Sequence, residues 1–189
     1  MAKIGMRNPM YRRMDITVDE QGKETISYGE RKSMGKAISA NISVTVAEAK
    51  LYADDGLAES TKEFVEGSIT ISTDDIENNV ESDILGATID ESGDVVSNKD
   101  DATPWIELGY IAARMKSGTK QYRGIVYYRV QFAVPNEDNT TMGQTISFGT
   151  PTFNGTLTAN ADGDWRKKSK WFDKAADATA WLEAEMSKT

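Results

Sequence analysis

Cysteine and histidine are both absent from the 189 residues. Without Cys there are no disulfides, thiol nucleophiles or thiolate metal ligands. Without His, the commonest general base and the commonest zinc ligand are missing. A Ser/His/Asp or Cys/His catalytic set therefore cannot be built from this chain. Carboxylate, Lys, Tyr and Ser/Thr chemistry remains, with magnesium or calcium where a metal is needed. No run of eighteen apolar residues occurs, so no membrane-spanning helix is predicted. The start, Met1-Ala-Lys-Ile-Gly-Met6, has neither an apolar stretch nor a small-residue cleavage site, which predicts no classical secretory leader. Hydrophobic residues make up 39%, below an ordinary globular domain, so loops or extended segments are expected to take a sizeable share.

The net charge is −8 and is unevenly spread. Residues 1–36 carry +3 and residues 102–135 carry +4, whereas residues 48–101 hold sixteen acidic groups against three basic ones. Residues 37–47 carry no charge, and residues 136–189 carry −2. An acidic chain is a poor ligand for nucleic acid, because neutralising phosphates needs an excess of Lys and Arg. Segments of opposite sign suit head-to-tail association of copies; the alternative is an acidic stretch that is simply a solvated loop-and-helix region.

Period-two alternation dominates the pattern. Residues 1–36 read as an arm or hairpin, with short strands at Asp15–Asp19 and Glu24–Tyr28 around the turn Glu20-Gln-Gly-Lys23. Such an arm must lie against its own domain or a neighbour. Ile38, Ala40, Ile42, Val44 and Val46 then alternate with Ser39, Asn41, Ser43 and Thr45. The second set is polar yet uncharged, which suits a strand whose polar face lines a wet channel or an interface, or else a Ser/Thr-rich exterior strand. A strand over Glu63–Ser72 follows, then a helix from about 74 to 85, with Thr73 as its cap, Asp74 and Asp75 at its N-terminus and Gly86 at its end. Long strands are expected at Trp105–Met115 and Tyr122–Val134, the second presenting Tyr122, Val126, Tyr128, Val130, Phe132 and Val134 on one face. Shorter strands are expected near Gln144–Phe148 and Phe153–Thr158. A last helix, Asp173–Met186, follows the basic segment Arg166-Lys-Lys-Ser-Lys170. The sum is one α+β, mainly β domain over 1–189, an antiparallel β-sandwich or barrel with a flanking α-helix and projecting arms. Within it, 1–36 is the arm, 37–160 the core, and 161–189 the C-terminal basic segment and helix.

The chemical motifs fail on spacing. Gly29-Glu-Arg-Lys-Ser-Met-Gly-Lys36 places five residues between its glycines, and Ala37 follows the Lys where a phosphate loop needs Ser or Thr. Asn160-Ala-Asp-Gly-Asp164 begins like a calcium loop, but Trp165 and Trp171 stand where Gly and the bidentate Glu belong. The acidic pairs Asp54/Asp55, Asp74/Asp75 and Asp100/Asp101 are adjacent in loops and point to no acid–base site. No catalytic, metal or cofactor residue is assigned. Arg166, Lys167, Lys168 and Lys170, flanked by Trp165 and Trp171, can stack bases or touch phosphate, or can meet an acidic neighbour. With Asp54 and Asp55 they are the candidate inter-subunit charges.

Several pieces, in order, resemble the major tail protein (tail tube) family of long-tailed phages of Gram-positive bacteria. They are Leu51-Tyr-Ala-Asp-Asp55, Phe64-x-x-Gly67, Leu85-Gly86-Ala87 and Asp101-Ala-Thr-Pro-Trp-Ile-Glu-Leu-Gly109. Tyr122-Arg123, Val126-Tyr-Tyr-x-Val130-x-Phe132 and Thr150-Pro151 complete the set, which covers residues 28–158. The resemblance implies a tail tube fold, a sandwich with a flanking helix, whose copies form hexameric rings stacked into a conduit for genome delivery. Implied partners are other copies, the tape measure, terminator and distal tail proteins, and double-stranded DNA that passes without specific binding. No membrane insertion is implied, and the implied location is the virion tail, assembled in the host cytoplasm. Tubes of contractile tails and of type VI secretion are similar in architecture. A non-catalytic β-sandwich binding module and a carboxylate enzyme using a divalent ion are the competing classes.

Overall fold

The computed structural model describes residues 2–53, 56–135 and 149–188. Among them are β1 (Ala2–Val18), β2 (Glu24–Tyr28), β3 (Lys32–Ser33), β4 (Ala37–Ala53), β5 (Gly56–Thr73), α1 (Asn78–Leu85), β6 (Thr88–Ile89) and β7 (Val95–Val96). Then come β8 (Trp105–Lys116), β9 (Thr119–Phe132), β10 (Thr152–Thr158), β11 (Arg166–Lys168) and α2 (Ala175–Glu185). The expected strand near Gln144–Phe148 lies outside the described residues.

One antiparallel sheet runs in the order β2-β1-β8-β9-β10-β5-β4, with β3 added to β1 and β11 to β9. The described residues are thus mainly β with two helices, and hydrogen bonds among them do not close the sheet. The sheet curls, because Tyr11 of β1 and Ile69 and Ile71 of β5, from opposite ends of the strand order, bury in one cluster with Leu108, Tyr127, Phe132 and Leu157. Val80, Ile84 and Leu85 of α1 plug one end of the curl. On the opposite face Ile111 and Val126 bury against Ala178, Leu182 and Met186 of α2. Gly109 and Gly124 make room for that helix: a Cβ at Gly109 would lie 2.6 Å from Met186 Sδ and 2.7 Å from Leu182 Cδ1, and one at Gly124 would strike the Trp181 ring.

Four expectations change. The N-terminal stretch lies against its own domain, as an inner strand that pairs with β8 from Ala2↔Met115 to Met14↔Trp105. The first helix starts at Asn78 rather than about 74; Thr73 ends β5, and the Asp74 carboxylate accepts from the Lys36 N–H at 2.7 Å instead of capping the helix. Gly86 does end it, with φ +81° and its N–H on the Ser82 carbonyl at 2.8 Å. Asp173 accepts from Gln121 at 2.9 Å, and α2 begins after Lys174 without a side-chain cap. The β9 residues expected on one face are divided: Tyr122, Val126 and Tyr128 turn to α2, while Val130 and Phe132 turn to the other cluster. The cause is a bulge, since Leu108 pairs with Tyr127 but Ile106 pairs with Val130, so one extra β9 residue inverts the alternation.

The β4–β5 hairpin continues well past the sheet, with pairing from Ala37↔Thr73 out to Ala53↔Gly56. In its far part Phe64 stacks on Trp165 with ring centres 4.6 Å apart, whereas Val46, Leu51 and Val65 are exposed. Of the apolar face read from the sequence, only Ala40 and Ile42 are partly covered. At concentrations where the chain is monomeric, Leu182→Ala is expected to lower the unfolding free energy by about 2–5 kcal/mol. Val46→Ala, at 49% exposure, is expected to change it by less than about 0.5 kcal/mol. Urea denaturation measures both, and equal losses would mean that the hairpin is packed in the monomer.

Candidate functional site

Ser39, Asn41, Ser43 and Thr45 all face solvent. Cross-strand register extends their face over two further strands, because residues directly opposite in a sheet share a side. Ser39 pairs with Ser72, Asn41 with Thr70 and Ser43 with Ser68. On the other side of β5, Ser72 pairs with Thr152, Thr70 with Asn154 and Ser68 with Thr156. The result is three rows of hydroxyls and amides without a charge, about 10 Å across and about 14 Å along the strands. Thr70 donates to Asn154 at 2.7 Å, and Ser72 and Thr152 share a bond of 2.8 Å. Opposite Thr45 stands Glu66, which ends the neutral zone. The other six residues of this surface carried a signal in their own alternation, but only register shows that they adjoin β4.

β4 is the last strand of the sheet and makes no ladder on its outer edge among the described residues. Its first eleven residues, 37–47, have no charged side chain. Exposed edges ordinarily carry Lys, Pro or a bulge against unwanted pairing; β4 has a bulge between Ala37 and Ser39 but no Lys or Pro over 37–47.

The basic segment is divided by strand alternation. Lys167 turns to the α2 face and pairs with Glu185 at 2.6 Å. Arg166 and Lys168 turn the other way, into a cleft of about 620 Å³ at the seam between β1 and β4. Lys3, Arg114, Arg123, Tyr110, Tyr127 and Trp171 also line this cleft. The Arg114 guanidinium lies 3.9 Å from the Trp171 ring centre and that of Arg123 lies 4.5 Å away, while Arg166 rests on Trp165 at 4.1 Å. None of these five cations has a carboxylate partner among the described residues. Burial first, and then Arg166 and Arg114, hold Arg123 below the ordinary arginine value, and its Nε is buried without an acceptor. Lys170 lies outside the cleft lining, 5.5 Å from the Phe172 ring centre. Asp54 and Asp55 lie outside the described residues.

The rejected motifs find structural uses. Lys36 pairs with Asp74 at 3.5 Å, and the Asn160 side chain accepts N–H bonds from Asp162 and Asp164 within a turn. Among the described residues no three acidic groups are arranged to hold a metal ion. No helix there is long and apolar enough to cross a membrane.

Neither a known family model nor a curated protein matches this chain. The site therefore has to be read from its own geometry.

Two buried carboxylates, Glu107 and Glu185, brace the α2 side. Arg12 pairs with Glu107 beneath the Tyr28 ring, and burial pushes the Glu107 carboxyl up against the pull of Arg12. For Glu185, burial also pushes upward, but hydrogen bonds from Lys167 and Lys188, each 2.6 Å, prevail and hold its carboxyl below the ordinary 4.5. A depressed folded value contributes stability above the unfolded pKa, and that contribution is lost as pH falls through the folded value. The stability gap between the natural chain and Glu185→Gln is therefore expected to shrink from neutral pH to about pH 3. Chemical denaturation across that range reads it; a constant gap would remove Glu185 as its source.

Proposed function

We propose that the chain is a structural subunit of a phage tail tube, a brick of a hollow polymer through which DNA passes. The observation that carries this reading is the open β4 edge, eleven uncharged residues long, bordering the neutral hydroxyl face. An isolated monomer gains nothing from an edge with free backbone donors and acceptors and no charge to repel a partner strand. Sister copies that continue the sheet would use those groups and complete the sandwich or barrel that one chain leaves open.

The neutral face fits the inner wall of such a tube. DNA must slide without being held, and hydroxyls and amides offer water-exchangeable hydrogen bonds without neutralising phosphates. The net charge of −8 points the same way. The ordered pieces of sequence that resemble the tail tube family favour rings, hexameric in that family, over other polymers. On this reading the chain has no catalytic role, its partners are its own copies and other tail proteins, and it resides in the virion.

Negative-stain microscopy of the purified protein across concentrations is the test. Rings or tubes with a central channel are expected; a monomer at every concentration and ionic strength would end this reading. Asn41→Lys with Thr70→Lys is expected to leave tubes intact but to make them retain labelled duplex DNA, measured by co-sedimentation. Equal retention by both forms would remove the neutral face from the inner wall.

A further inference from the structure

Among the described residues, the unpaired cations and the unpaired carboxylates of this subunit gather at different places. At one end of the β1–β8 ladder Lys3 pairs with Arg114; at the other Met14 pairs with Trp105, next to the α1 end, where Gly86 lies against Ala102 and Pro104. The run of β8 between Trp105 and Arg114 spans about 30 Å. The cleft end gathers Lys3, Arg114, Arg123, Arg166 and Lys168. The α1 end is its complement, for residues 75–101 hold nine acidic groups and a single lysine, Lys99. Glu77, Asp90, Glu91 and Asp94 there are exposed and form no ion pair among the described residues.

We propose that the seam cleft is a carboxylate-binding site that receives the acidic α1/β6–β7 segment of a second copy, so that copies join head to tail. The partly buried guanidiniums on Trp171 are preorganised donors, and an arriving carboxylate would satisfy the Arg123 Nε that lacks an acceptor. Among the described residues no carboxylate of the acidic segment pairs with a cleft cation, so the chain does not fill its own cleft. Duplex DNA is disfavoured as occupant because the surrounding chain is acidic. The inference rests on the reading that copies assemble, and it assigns the contact between successive copies.

The test is zero-length carbodiimide coupling of a one-to-one mixture of ¹⁴N- and ¹⁵N-labelled full-length chains, read by mass spectrometry. Mixed-isotope links from Lys3 or Lys168 to Glu77, Asp90, Glu91 or Asp94 are expected. Mixed links that bypass Lys3 and Lys168, or that join them to Glu59, Glu63 or Glu66 of the hairpin, would overturn this contact and leave assembly standing. Absence of mixed links, with only monomer by sedimentation, would remove assembly and this contact together. In parallel, R166E/K168E and E77K/E91K chains, each checked for native circular dichroism, are expected to lose about tenfold in sedimentable polymer alone and to regain it when mixed. Polymer from R166E/K168E alone at the natural level would also overturn the inference.

Discussion

The β8–β9 ladder is buried on both faces, and the rest of the molecule is arranged around that requirement. Ile106, Leu108 and Tyr127 face one cluster, while Ile111 and Val126 face the other. A sheet with two apolar faces needs a cover on each side. One cover is α2, seated closely because Gly109 and Gly124 have no side chains to hold it away. The other is the sheet itself, which curls until β1 and β5 meet over the same core, with α1 closing the end. The bulge opposite Leu108 lets one continuous strand serve both clusters.

Among the described residues that solution uses every covering element. α2 shields only the β1-β8-β9 side, so β4, β5 and β10 are left with one wet face and β4 with a free edge. A solitary protein would be expected to charge both. Here the face is hydroxyl and amide, and the edge is neutral over eleven residues. Five cations unpaired among the described residues gather instead in the cleft at the seam between β1 and β4. The proposed tube and the proposed head-to-tail contact both follow from this division: neutral surfaces where strands would join or DNA would pass, charged ones where successive copies would meet.

Much of the β content was legible because alternation is written locally. Ser39, Asn41, Ser43 and Thr45 form a face by their alternation alone, and that face is exposed in the structure. Gly86 was legible as a helix stop because a left-handed residue there favours glycine. The start of α1 was misplaced because Thr73 and Asp74 carry the chemistry of a cap, yet Asp74 is engaged by Lys36, a residue distant in sequence. The basic segment read as a single patch, since proximity in sequence hides strand alternation: Lys167 is taken by Glu185, and only Arg166 and Lys168 enter the cleft.

The sequence by itself determined the alternation of β4, the glycine that stops α1, the exclusion of Cys and His chemistry, and the uncharged stretch 37–47. These depend on residue type and near neighbours, and the chain states them directly. Tertiary structure alone decided which strands adjoin, where the bulge inverts β9, and that six hydroxyl and amide side chains of β5 and β10 widen the face of β4. It also drew Lys3, Arg114, Arg123, Arg166 and Lys168 together from four strands. Register and curl are set by burying both faces of β8–β9 at once, a global packing condition that no single segment encodes.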